Sequence, residues 1–353
     1  MALNRRLKFG FTVAAALIQF VILFTLKKYK NSILPKPDNH VQFYQKPENV
    51  QWINELPMQE RKKLVHLLHT QEVPWKPDVT KVAQYRAELG QCCNASVQLV
   101  LTKENVPLGS NITYVNGNAK VAVKADLIEL LPKISPFSHS RYKHCAVVGN
   151  SGILRQSRCG QEIDLADLVV RFNLPPLMFP EDTGTKTTLM TINPSILKEK
   201  FHFLQKEWDL FVDALNPYVN AVFLIPAFTH PDNEGMAYRA LYTMEAMGLG
   251  KKVFFLNPKY QRSLTDYWRG ERSWSPRLSS GFIFINMALE FCQHITLYGF
   301  WPFSRDLDGQ AVSYHYYDDA LPSDTAHNMS TEFSHYLHLY SQKVLFFRYG
   351  KCI

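Results

Sequence analysis

From about residue 141 the chain alternates short apolar runs with amphipathic ones. CAVVG (145–149), LVVRFN (168–173), TLMTIN (188–193), AVFLIP (221–226), KVFFLN (252–257) and ITLYGF (295–300) are rich in β-branched and aromatic residues and end at turn formers. Runs of this kind predict strands buried on both faces. Between and after them, PSILKEKFHFLQKEW (194–208), GMAYRALYTMEAMG (235–248) and RLSSGFIFINMALEFC (277–292) read as helices. In HNMSTEFSHYLHLY (327–340), Phe333, Tyr336, Leu337 and Tyr340 recur at helical spacing, which predicts a helix from about Thr331 with Ser330 able to cap it. The alternation predicts an α/β fold with a largely parallel central sheet covered by helices on both faces, in which ligands gather where strands end.

The first half reads differently. Residues 9–26, FGFTVAAALIQFVILFTL, form an almost uninterrupted apolar run, about 27 Å long as a helix. Lys27 and Lys28 follow directly and no small-x-small cleavage site is visible, so a retained anchor is expected rather than a removed signal peptide. Basic residues flank both ends, so charge alone does not orient it. Prolines recur from Lys27 to about residue 80 around a single helical segment, MQERKKLVHLLHTQ, which suggests a stem. The expected divisions are a tail (1–8), an anchor (9–26), a stem (27–80) and one folded domain (81–353).

Composition changes this picture at one point. The net charge of +8 looks like a nucleic-acid footprint, but six basic residues and no acid lie in the first thirty positions, leaving about +2 for the rest. A nucleic-acid partner is therefore not expected. The six cysteines lack zinc-type spacing, and sequons stand at Asn94, Asn111 and Asn328. With an anchor, an even cysteine count places the bulk of the chain in an oxidising lumen.

Several strand ends carry candidate chemistry. Gly149-Asn150-Ser151-Gly152 follows the first strand and offers bare N–H groups before an expected helix, which suits an anion, although an ordinary turn would look the same. Asn173 ends the second strand, where its amide can donate and accept toward a ribose or phosphate. Ser279, Ser280 and Gly281 precede an apolar helix, either as a ligand cradle or as a plain cap. Trp301 and His315 sit among aromatics, and His327 lies just before the positive end of the last helix, which favours a neutral imidazole able to take a proton. Glu332 falls in that helix's first turn, where it favours the dipole without any catalysis.

These blocks resemble the four sialyl motifs of animal sialyltransferases. CAVVGNSGILRQSRCGQEIDLADLVVRFNLPP resembles the large motif, RLSSGFIFINMALEFCQHITLYGF the small one, YHYYD the third, and HNMSTE the very small His-x4-Glu motif. The wording of GFWPF and HYYD, the C-terminal cysteine and the Cys92-Cys93 pair resemble the alpha-2,8 branch. The resemblance implies a Golgi type II membrane enzyme with a Rossmann-like variant of the glycosyltransferase fold. It further implies CMP-sialic acid as donor, inverting transfer, no metal or other cofactor, and a sialylated glycolipid or glycoprotein acceptor. By position, Asn150, Ser151, Gly152 and Asn173 would hold the nucleotide, with Ser279, Ser280, Gly281 and Trp301 completing the donor pocket. His315 would bond the leaving phosphate and His327 would be the base. It also implies disulfides Cys145–Cys292 and Cys159–Cys352, leaves Cys92 and Cys93 unassigned, and leaves a homo-oligomer open.

Some residues depart from the pattern. Phe172 stands where the branch usually has cysteine, Ser280 replaces threonine, and Asn328 with Ser330 creates a sequon touching His327, expected to stay unmodified. Asp306-Leu307-Asp308 could mimic a metal-binding DxD, but its polar surroundings suggest a solvated turn. Before the large motif, residues 120–144 mix five Lys/Arg with two acids, which favours a mono- or oligosialyltransferase over a polymerase. Two rivals remain: a Golgi pseudoenzyme that binds CMP-sialic acid or glycans without turnover, and an anchored dinucleotide oxidoreductase with Asp167 as its ribose-binding acid.

Overall fold

In a computed structural model, the structure describes residues 75–205, 208–269, 277–319, 327 and 329–352, together with Lys62 and Leu64. The tail, the anchor at 9–26, most of the stem and Asn328 lie outside the described residues. The described residues all fall in one compact unit, Pro47–Ile353.

Its centre is a seven-stranded sheet built from β3 (Tyr142–Val148), β4 (Leu168–Phe172), β5 (Leu189–Thr191), β6 (Val222–Ile225), β7 (Val253–Phe255), β8 (Cys292–Tyr298) and β9 (Phe346–Arg348). The order is β7-β6-β5-β4-β3-β8-β9 and every pairing is parallel. A small antiparallel ribbon, β1 (Asn111–Thr113) with β2 (Lys120–Ala122), lies outside it. All six sequence-predicted strands are present. The edge strand β9 was not expected, because its three residues carry too little periodicity to stand out.

Strand alternation divides the core. Cys145, Val147, Leu168, Val170 and Leu224 face one side, which is covered by α1 (Val79–Cys92), α4 (Ser280–Phe291) and α5 (Met329–Ser341). Met190, Phe223 and Ile225 face the other, where α2 (Glu234–Ala246) packs Met236, Ala240 and Met244. The helix α3 (Pro258–Arg269) buries Tyr260, Leu264 and Trp268 on the first side. Buried residues run all round α4, as a helix sunk in a core requires.

Two local expectations are corrected. The predicted helix 194–208 breaks after Glu199, and His202, Phe203 and Leu204 take positive φ values of 44°, 61° and 55°. Burial of Phe201 against Phe211, ring centroids 5.2 Å apart, overrides helix propensity there. Ser330 lies inside the first turn of α5 rather than capping it. Leu64 is fully buried in the core and Trp75 packs its ring against Tyr340 and Phe346, so this part of the 27–80 stretch docks on the folded domain.

The chain order reverses between β3 and β8, and there the sheet opens. Register sets Val148 opposite Tyr298, so Gly149 and Gly299 meet just beyond the strand ends. Gly149 N–H donates to Tyr298 O at 2.7 Å and Ser151 N–H to Gly299 O at 3.1 Å. A Cβ on Gly149 would come within 2.4 Å of the Gly299 carbonyl, and Gly299 itself has φ +70°. Only glycines allow this approach. The Cys145–Cys292 disulfide ties the same two strands, and Cys159–Cys352 ties the loop after Gly149 to the C-terminal segment, where Cys352 N–H also donates to Ser157 O at 2.7 Å. Both pairings are those the resemblance implied; Cys92 and Cys93 are joined to each other. The sequon residues Asn94 and Asn111 are exposed.

Candidate functional site

An open cleft lies over the carboxyl ends of β3, β4 and β8. In open parallel sheets, ligands bind where the strand order switches. Asn150, Ser151, Asn173, Ser279, Ser280, Gly281, Trp301, His315 and His327 all line it, although 177 positions separate the first from the last. Gly152 does not. It packs on Ser313, where a Cβ would lie 2.5 Å from the carbonyl oxygen, and its N–H donates to that carbonyl at 3.0 Å.

The helix expected after Gly149-Asn150-Ser151-Gly152 is also corrected. Only a three-residue 3-10 turn, Gly152–Leu154, follows, so no long helix aims its positive end from that loop. The Ser151 hydroxyl is spent on Trp301 O at 2.9 Å and stitches the loop to the end of β8. The positive helix end comes instead from α4, whose cap Ser279 accepts from Phe282 N–H at 3.1 Å.

Among the described residues, each asparagine is fixed at one end and open at the other. Asn150 Nδ2 donates to Phe172 O at 3.1 Å, which leaves its Oδ1 without a donor among the described residues. Asn173 has φ 65°, a region asparagine tolerates, and its Oδ1 accepts from Asn193 N–H at 3.1 Å. Asn193 was missed by the sequence reading. Its side chain meets the Ser280 hydroxyl at 3.0 Å and links β5 to the start of α4. The signal was present: TLMTIN ends in asparagine just as LVVRFN does. Phe172 packs edge-on to Phe284 and Phe300 in the cleft wall. The Trp301 indole N–H is taken by Arg305 O at 2.8 Å, so this residue offers the cleft an aromatic surface and no donor.

Two imidazoles are oriented by different partners. His315 Nδ1 bonds Asp318 at 2.8 Å, and Tyr317 stacks on the ring at 4.9 Å. His327 Nδ1 lies 3.3 Å from Arg277 O. A carbonyl only accepts, so Nδ1 carries the proton and Nε2 keeps its lone pair. Desolvation, with a smaller contribution from the Arg277 charge, lowers the His327 pKa.

Glu332 does not reach the cleft. It is 1% exposed and accepts from Ser279 N–H at 2.7 Å, from the Ser279 hydroxyl and from Tyr336 OH at 3.0 Å. Burial raises its pKa against these hydrogen bonds. Its work is to clamp the start of α4 to α5, so the motif glutamate positions the serine cradle. Glu332→Ala is expected to leave Ser279 N–H and Tyr336 OH buried without acceptors, at about 1–3 kcal/mol each. Denaturant unfolding measures this loss; unchanged stability would contradict it.

Asp306 Oδ1 accepts from Asp308 N–H at 3.0 Å and Gln310 N–H at 2.7 Å, which turns this oxygen into its own turn. Neither aspartate lines the cleft.

Fold and cleft together define a Rossmann-like α/β protein whose main cleft sits at the sheet's switch point. Residues 100–344 match the family model described as Glycosyltransferase family 29 (sialyltransferase). Alpha-2,8-sialyltransferase 8F of Homo sapiens is 40% identical over 285 residues, covering 80% of this chain and 72% of that protein. Alpha-2,8-sialyltransferase 8E of Homo sapiens is 37% identical over 281 residues, covering 79% and 75%. A solved structure described as a mammalian sialyltransferase matches at 20% identity and TM-score 0.43, covering 84% of this chain and 87% of that one, a likeness too weak to add to the assignment. The chain belongs to glycosyltransferase family 29, the sialyltransferases, and is a glycosyltransferase.

Proposed function

We propose that this protein transfers sialic acid from CMP-sialic acid to the 8-hydroxyl of a terminal sialic acid on a glycolipid or glycoprotein, with inversion and with His327 as general base. The observation that carries the reading is the His327 ring, fixed through Nδ1 by Arg277 O and facing a cleft that also holds His315. Family membership and the alpha-2,8-sialyltransferase relatives support the reaction class.

In this reading the open ends of Asn150 and Asn173 take the CMP phosphate and ribose, and the α4 start with Ser279, Ser280 and Gly281 takes the nucleotide or the donor carboxylate. His327 Nε2 removes the proton of the acceptor hydroxyl as its oxygen attacks the anomeric carbon. The bond from that carbon to the CMP phosphate breaks on the opposite side, which inverts the centre. His315, held by Asp318 at Nδ1, donates from Nε2 to the leaving phosphate in its protonated form. CMP is a competent leaving group, so positioning and charge stabilisation carry the chemistry without a metal. Three disulfides and the exposed sequons at Asn94 and Asn111 support a catalytic domain in the Golgi lumen, with residues 9–26 as its type II anchor.

Purified full-length protein with CMP-sialic acid and a panel of sialylated lipids and glycoproteins tests this directly. The expected product carries a new alpha-2,8 bond; donor binding with no product on any acceptor would favour the pseudoenzyme instead. The pH profile supplies a second check. A histidine whose pKa is depressed stays neutral, and hence active as a base, until pH falls through that lowered value. The acid limb of kcat is therefore expected below 6.5, the ordinary imidazole value. A limb centred above 6.5 would exclude His327 as the titrating base.

A further inference from the structure

His315, the proposed donor to the leaving phosphate, owes its orientation to a short arc of backbone. Its Nδ1 bonds Asp318, three positions further on, at 2.8 Å, so this contact depends on the shape of the chain between them. The near half of the arc is docked on the loop after β3. Gly152 N–H donates to Ser313 O at 3.0 Å, the Ser313 hydroxyl to His315 O at 2.7 Å, and Tyr316 N–H to Asn150 O at 2.8 Å.

Arg155 carries the docking on to the far half. It stands directly after the 3-10 turn Gly152–Leu154, with its N–H on Gly152 O at 3.0 Å, and the next residue is held by Asp182, which accepts from Gln156 N–H at 2.7 Å. From this fixed base its guanidinium reaches residues 161 and 163 positions away in sequence: Nε donates to Tyr316 O at 2.7 Å and Nη2 to Asp318 O at 3.0 Å. Nη1 lies 3.2 Å from Asp319 Oδ1, but that side chain is 90% exposed, so water screens the pair and it adds little. The two carbonyl bonds matter more. They are charge-assisted, and the planar guanidinium presents both donors in one rigid fork, which a lysine ammonium does not. They also bracket residues 316–318, the stretch that sets His315 against Asp318.

We propose that Arg155 is a positioning residue for His315: by fixing the arc from Tyr316 to Asp318 it holds the imidazole where Nε2 donates to the departing phosphate. This role rests on the proposed donation by His315. Arg155 is not among the described residues that line the cleft, so its influence on the reaction passes through the ring. Placement counts because a displacement of about 1 Å at a reacting group can cost about 10²-fold in rate.

The test is a double-mutant cycle on the full-length protein: wild type, Arg155→Gln, His315→Ala and the combined variant, with Arg155→Lys as the conservative control. Each is assayed for kcat, donor KM and melting temperature with CMP-sialic acid and a sialylated acceptor. His315→Ala is expected to lower kcat by about 10²- to 10³-fold. Arg155→Gln is expected to lower kcat by about 10- to 100-fold with the donor KM near wild type. Arg155→Lys, which keeps the charge but not the fork, is expected to recover part of that loss. With the imidazole gone there is nothing left to position, so Arg155→Gln should lower kcat little further in the His315→Ala background. An equal loss in both backgrounds, or wild-type kcat in Arg155→Gln alone, would overturn the positioning role and leave the functional reading standing. Wild-type kcat in His315→Ala would overturn the role of His315 itself, and that of Arg155 with it. Melting temperatures identify the folded variants; should Arg155→Gln fail to fold, Arg155→Lys takes its place in the cycle and is judged by the same outcomes.

Discussion

His327→Ala is expected to lower kcat by about 10²- to 10⁴-fold, the usual worth of a positioned base, while CMP binding stays close to wild type. The reason is local. The only described hydrogen bond of the ring goes to Arg277 O, and the groups proposed for the nucleotide are anchored elsewhere: Asn150 to Phe172 O, Asn173 to Asn193, Ser279 to Glu332. Removing the imidazole therefore takes away the proton acceptor and leaves the nucleotide cradle standing. Single-turnover rates with saturating donor, beside equilibrium titration of CMP, separate the two effects. A variant with wild-type kcat and a raised donor KM would make His327 a binding residue.

Loss of the Cys145–Cys292 bridge is the second large effect expected. It closes a loop 147 residues apart in sequence, and the chain-entropy model gives such a bridge about 5 kcal/mol. That approaches the whole stability of many domains, about 5–15 kcal/mol. The bridge also joins the two strands between which the cleft opens, so replacing both cysteines by alanine should lower the melting temperature and activity together. Cys92–Cys93 is the internal control. Adjacent residues close almost no loop, so alanine at both positions is expected to change the melting temperature little. Equal damage from the two double variants, followed by thermal unfolding, would contradict this account of the stabilisation.

Much of the architecture was legible because a parallel sheet covered on both faces needs continuous apolar strands, and six were visible as such. What escaped was short or tertiary. The strand Phe346–Arg348 has three residues, too few for periodicity, and is recruited by pairing with β8. The break near Phe201 follows from burial against Phe211, which no local propensity reports. At the site, residue type pointed to the strand-end asparagines and both histidines, but not to what each touches. Gly152 sits one residue beyond the cleft wall and is required for packing on Ser313. Glu332 looked like a dipole partner and is a buried clamp, because its partner Ser279 lies 53 positions away in sequence. Asn193 and Arg277 gain meaning only once β5, α4 and α5 converge around His327.

The central claim is that one cleft at the β3–β8 switch point holds the donor between the two imidazoles. A crystal structure of the protein with CMP bound tests it most directly. The account predicts CMP in this cleft, with ribose and phosphate against Asn173 and Asn150 and the phosphate within hydrogen-bond reach of His315. CMP bound at any other face, with the cleft between Asn150 and His327 empty, would contradict it.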